Sequence, residues 1–113
     1  MTAVLTRQWT IVCPLADLFP DRGAVALVNG EQVALFRTGT DEVYAIGNLD
    51  PFSGAQVLAR GIVGSRGDVP TVASPMYKQV FDLRTGVCLD DAAVAVPVFG
   101  VRARDGLIEV SGP

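Results

Sequence analysis

The sequence predicts a mostly β fold of short strands in packed antiparallel sheets or a flattened barrel, and three observations carry that prediction. Twelve glycines and seven prolines break the apolar runs into short pieces. Asn-Gly and Asp-Gly pairs separate segments rich in β-branched residues, and helical periodicity is weak throughout. At 113 residues, 50% of them hydrophobic, the chain 1–113 reads as one domain with a core of its own.

Taken in order, Trp9 to Cys13 is β-rich and stops at Pro14, and Leu15 to Phe19 suits one helical turn before Pro20. Ala24 to Val28 and Gln32 to Phe36 flank Asn29-Gly30, a pair that accepts the positive φ of a tight hairpin turn. A polar turn, Thr38 to Glu42, leads to Val43–Ile46 and completes a three-strand meander. Gly47 to Asp91 is richer in turns, with short strands at Val72-Ala73, Val80–Leu83 and Val87–Leu89 and one further helical candidate, Ala55 to Arg60. Gly61 to Gly67 holds three glycines but no helix-opening pattern and no lysine, so it reads as a mobile loop, not a phosphate cradle. Val94 to Arg104 and Leu107 to Val110 enclose Asp105-Gly106, a second hairpin that ties both ends of the chain into sheets.

What the composition lacks limits the chemistry. The chain has no histidine, two cysteines (Cys13 and Cys88) and one lysine (Lys78). Structural zinc takes four Cys/His ligands, catalytic zinc three plus water, and iron–sulfur clusters four Cys or Cys/His ligands. No Ser-His-Asp or Cys-His nucleophile can be assembled, so acid/base work would fall to carboxylates or tyrosine. Nine basic residues against twelve acidic ones give a net charge of -3 with no basic run, which argues against nucleic acid. Met1 to Thr10 carries Arg7 and no apolar stretch of signal-peptide length, and no membrane-length run follows, so a cytoplasmic protein with reduced thiols and no membrane partner is expected.

Three stretches then stand out: Trp9-Thr10-Ile11-Val12-Cys13, Asn48-Leu49-Asp50-Pro51-Phe52, and the run from Ala73-Ser74-Pro75-Met76-Tyr77-Lys78 through Phe81-Asp82 to Thr85-Gly86. Their order and β context resemble a Rieske-type domain. In cluster-bearing members two loops each supply a Cys and a His, as Cys-x-His and Cys-Pro-x-His-Gly, ahead of a Phe-Asp strand and a Thr-Gly turn. Here Pro75, Phe81-Asp82 and Thr85-Gly86 remain, whereas the four ligand positions fall on Asn48, Asp50, Ser74 and Tyr77 and the glycine after the second His is Lys78. Amide, carboxylate, hydroxyl and phenol do not reproduce a soft N/S donor set, so the resemblance implies a Rieske-like fold without a [2Fe-2S] cluster.

Asp50-Pro51-Phe52-Ser53, Arg60-Gly61-Ile62-Val63-Gly64 and Ser74-Pro75-Met76-Tyr77-Lys78-Gln79 narrow the similarity to the small subunits of cytoplasmic NAD(P)H-dependent nitrite reductase, over Trp9 to Val110. That resemblance implies an accessory subunit with no catalytic residues and no cofactor of its own. FAD, siroheme and an iron–sulfur cluster are then expected on a large catalytic subunit that reduces nitrite to ammonium. The alternative is a stand-alone small-molecule binding module using the emptied tip as a pocket.

On that tip, Phe52, Tyr77 and Lys78 form the candidate partner interface, since aromatic anchors dominate binding hot spots. Equally, Phe52 and Tyr77 could fill the space a cluster would take. Lys78 reads as a solvated charge rather than a reactive amine. Asp50 could pair with Lys78 or an arginine across the loops, cap the helix near Ala55, or make a turn before Pro51. Asp90-Asp91 reads as a solvated turn rather than a carboxylate pair.

Overall fold

The computed structural model describes residues 8–39 and 42–112 as nine strands and two short 3-10 turns. The strands are β1 (Trp9–Pro14), β2 (Arg22–Val28), β3 (Glu31–Arg37), β4 (Val43–Gly47), β5 (Ile62–Arg66), β6 (Val69–Ala73), β7 (Val80–Asp82), β8 (Val98–Arg104) and β9 (Leu107–Ser111). They form a six-stranded sheet in the order β1-β9-β8-β4-β3-β2 and a three-stranded sheet β5-β6-β7, with every pairing antiparallel.

Both hairpins expected from Asn-Gly and Asp-Gly form. Asn29 and Gly30 take φ of 51° and 82°, and Asp105 and Gly106 take 53° and 77°, so all four sit in the left-handed region that this turn requires. Strand β3 explains how two sheets share one body. Its run Val33-Ala34-Leu35-Phe36 is buried on both faces, because alternate side chains of a strand point opposite ways. Val33 and Leu35 join Val28, Phe99, Ile108 and Val110 inside the curl of the large sheet. Ala34 and Phe36 face the small sheet and pack with Ile46, Leu58, Val72, Phe81 and Leu83.

The turn-rich middle is more ordered than its composition suggests. Gly61 to Gly67 is not a mobile loop: Ile62–Arg66 is β5, paired residue by residue with β6 across a turn at Gly67, whose φ is 58°. Val63 packs against the core while Ile62 is exposed, an alternation that the glycines hide in the sequence. The last long strand begins at Val98 and not at Val94. Residues 94–97 run as a strap, with Cys88 N–H donating to the Val94 carbonyl, Val96 N–H to Gly86 and Gly47 N–H to Pro97. Val87 and Cys88 make isolated bridges, not a strand. The two helical candidates shrink to 3-10 turns at Leu15–Asp17 and Leu58–Arg60, too short to bury an apolar stripe. Thr38 N–H closes on the Glu42 carbonyl at 2.9 Å, while Thr40 and Asp41 of that turn lie outside the described residues, as do residues 1–7 of the stretch Met1 to Thr10 read above for a signal segment.

Candidate functional site

Two loops meet where β4 and β6 end. The first follows Gly47 and runs to the 3-10 turn at Leu58–Arg60; the second is Ser74 to Gln79, between β6 and β7. Of the four positions singled out by the resemblance, Asn48, Asp50 and Ser74 are buried and Tyr77 is 60% exposed.

Asp50 and Ser74 join the loops directly. Ser74 Oγ donates to Asp50 Oδ2 at 2.6 Å, and Phe52 N–H donates to Asp50 Oδ1 at 2.9 Å, an Asx turn. Main-chain bonds fix the same carboxylate's position: Asp50 N–H reaches the Ala55 carbonyl and Gly54 N–H returns to the Asp50 carbonyl, both at 2.8 Å. Burial raises the pKa of Asp50, but the bonds from Ser74, Phe52 and Ser53 outweigh it and leave the carboxyl below its ordinary value. The turn reading of Asp50 thus describes the structure. The ion pair with Lys78 or an arginine does not form among the described residues, nor does Asp50 cap the Leu58–Arg60 turn.

Asn48 works inward. Its Nδ2 donates to Gln32 Oε1 at 3.0 Å and its Oδ1 accepts from Ala59 N–H at 2.8 Å, so it clamps the first loop to β3 and to the 3-10 turn. It makes no hydrogen bond to Ser74. In the second loop Ser74 Oγ also accepts from Met76 N–H at 3.2 Å, and Lys78 N–H closes on the Ser74 carbonyl at 3.1 Å.

Lys78 adopts φ of 65°. The backbone therefore keeps the left-handed conformation a glycine would favour there, at the steric cost that the Lys78 Cβ imposes. Lys78→Gly is expected to stabilise the fold by about 0.5–1 kcal/mol, which urea unfolding of the two proteins would measure.

Phe52 is half-buried and its ring stands 6.3 Å from that of Phe81, at 53°. It caps the core beneath the loops and is withdrawn from the outer surface. The exposed apolar groups are instead Leu49, Met76 and Tyr77, with Lys78 beside them. Leu49 and Met76 carried no sequence signal, because only the loop geometry that buries Asp50 and Ser74 turns their neighbours outward. Asp90 and Asp91 point to different tasks: Asp90 accepts from Val80 N–H and from Arg66, and Asp91 from Ala93 N–H. A cleft of about 400 Å3 adjoins the first loop on its Gln32, Gln56 and Pro97 side, not between the loops, where Asp50 and Ser74 satisfy each other.

Cys13 and Cys88 lie on β1 and in the core, and no group of three or more His, Cys, Asp or Glu that could hold a metal occurs among the described residues. At the end of β7 away from the second loop, Asp82 holds Arg84 through Oδ1 at 3.3 Å. Burial raises the pKa of Asp82, and the Arg84 bonds bring it below the ordinary range.

Comparison with known proteins places these features. The model of the Rieske-like [2Fe-2S] domain matches residues 8–111. The chain is similar to the nitrite reductase (NADH) small subunit of Salmonella typhimurium, 42% identical over 106 residues that cover 93% of this chain and 98% of that one. A crystallised Mycobacterium tuberculosis protein, described as an NADH-dependent nitrite reductase small subunit, superposes with a TM-score of 0.92 at 48% identity, over 96% of this chain and 97% of the other. A nitrite reductase [NAD(P)H] large subunit of Klebsiella oxytoca contains a region 42% identical over 109 residues, 96% of this chain but 11% of that polypeptide.

Proposed function

The chain belongs to the Rieske-like [2Fe-2S] domain family and, within it, to the nitrite reductase small subunits, and from that premise we propose how it serves the enzyme. It is an accessory subunit of cytoplasmic NAD(P)H-dependent nitrite reductase, bound to a large subunit that carries FAD, siroheme and an iron–sulfur cluster. Reduction of nitrite to ammonium takes place on that partner.

One observation carries the reading: the two loops that hold a cluster in cluster-bearing domains are joined here by a hydroxyl–carboxylate bond between Ser74 and Asp50. The donors at the tip are amide, carboxylate, hydroxyl and phenol oxygens. Two irons bridged by sulfide call for thiolate and imidazole, so a [2Fe-2S] centre does not fit these residues. The Klebsiella relative supports the partnership, since a segment equivalent to this chain is built into a large-subunit polypeptide. A nicotinamide-linked reductase draws on a reductant found inside the cell, which is why the cytoplasm is the compartment proposed.

Purified alone, the chain should be colourless and free of iron. Mixed with the large subunit it should form a complex that alters nitrite-dependent NAD(P)H oxidation. A partner that never associates with the chain and is fully active alone would end this reading.

The docking surface we propose is the tip. Tyr77→Ala should weaken the complex about tenfold or more, as loss of an exposed aromatic anchor does, with the melting temperature unchanged. Phe52→Ala should do the reverse, lowering stability by about 2 kcal/mol through the cavity above Phe81. Titration calorimetry beside thermal melts separates the two.

A further inference from the structure

The six-stranded sheet ends in two strands whose outer edges are unpaired: β1 has only β9 beside it and β2 only β3. The curl of the sheet brings these edges to a common cleft of about 390 Å3, lined by residues of both strands and floored by Leu18 and Leu35. On its lips Ile11, Val25 and Leu27 are 61%, 54% and 69% exposed. Small side chains, Cys13, Ala24 and Ala26, leave room within it.

An exposed edge of this kind is normally guarded by lysine, glutamate, proline or a bulge that blocks further pairing. Apart from Pro14 at the end of β1 and Arg22 at the start of β2, neither strand contains a charged residue or a proline. β1 has one register shift, between Ile11 and Cys13; β2 pairs without interruption.

We propose that this cleft takes an extended segment of the catalytic subunit as an added strand along β2, an inference that rests on the subunit reading above. An extended peptide can use the row of free N–H and C=O groups on the edge, whereas an acyl chain or planar small molecule cannot. The fitting segment alternates aliphatic residues against Val25 and Leu27. It carries a basic residue at the end near Asp17, which lines the cleft and pairs with no cation among the described residues.

A second copy fits less well. Two β2 strands paired about Val25 would set Leu27 of each opposite Gly23 of the other. The sheet face on which that Leu27 would lie is occupied beside Gly23: a Cβ on Gly23 would lie 2.1 Å from the Ala59 carbonyl oxygen.

The test is binding of the purified chain to the purified large subunit. Val25→Lys/Leu27→Lys replaces two exposed side chains and should keep the fold while weakening the complex at least tenfold. In the wild-type complex, amide exchange along β2 should slow. Ile11→Lys, on the opposite lip, is the second variant should the first fail to fold. Wild-type affinity in a folded variant, or a complex without added protection along β2, would overturn the proposal. So would a concentration-dependent dimer of the isolated chain abolished by the same substitutions, or β2 exchange that speeds up in the free chain when residues 1–7 are removed, since either gives the cleft another occupant. If the wild-type chain does not bind the large subunit at all, the subunit reading itself has failed.

Discussion

Asp50→Ala is expected to lower the melting temperature by about 10–20 °C, because it removes about 3 kcal/mol or more from a domain of this size. The carboxylate accepts a buried bond from Ser74 Oγ and a partly buried one from Phe52 N–H. Hydrogen bonds to a charged group contribute roughly 1.5–3 kcal/mol each, and truncation also leaves two donors unsatisfied. Asp50→Asn keeps the shape and one acceptor oxygen, so it should cost less, about 1–2 kcal/mol. The pH dependence distinguishes charge from shape. The folded pKa of Asp50 lies below the ordinary carboxylate value. Its contribution is therefore fully present above about pH 4 and is lost as the pH falls through the lowered folded value. Acid unfolding of Asp50→Asn, compared with wild type, should lack this component. A wild-type acid profile in the variant would show that the carboxylate is not the group holding the loops.

Gly86→Ala should be at least as damaging, at about 3 kcal/mol or more, and is expected to yield little folded protein. Gly86 takes φ of 76°, and a Cβ there would lie 2.2 Å from the Val96 carbonyl oxygen, which is backbone and cannot swing away. The same residue accepts from Val96 N–H and donates to the Asp82 carbonyl, so relief by displacement would break the strap that covers Cys88. Gly67→Ala is the matched control. Its φ of 58° imposes the backbone penalty alone, since nothing lies within 4 Å of its Cβ position. A cost of about 1 kcal/mol is expected there, measured by urea unfolding. Equal costs at the two positions would mean that the contact with Val96 is not what matters.

The elements legible in the sequence were those governed by local chemistry. Asn29-Gly30 and Asp105-Gly106 dictate their hairpins through positive φ alone, and Gln32 to Phe36 reads as the strand after the first of them, although its burial on both faces follows only from the packing of two sheets. Strand β5 was not legible, because Gly61, Gly64 and Gly67 supply no apolar alternation and its pairing comes from β6. The strap at residues 94–97 reads as strand from its valines, yet its hydrogen bonds go to Gly47, Gly86 and Cys88, partners that no local pattern reveals.

At the tip, the resemblance singled out Asn48, Asp50, Ser74 and Tyr77, but their present roles depend on distance in space. Ser74 and Asp50 are 24 residues apart and meet only because β4 and β6 end side by side. Phe52 could be read as an anchor on the surface or as filler of the core, and only Phe81 placed beneath it decides for the core.

The pairing of the first and last strands has one more consequence. Trp9 lies opposite Ser111, so the chain enters and leaves the large sheet at neighbouring points. A domain wired in this way can be grafted into a longer polypeptide at one spot without stretching either half, or have its ends joined and be reopened elsewhere.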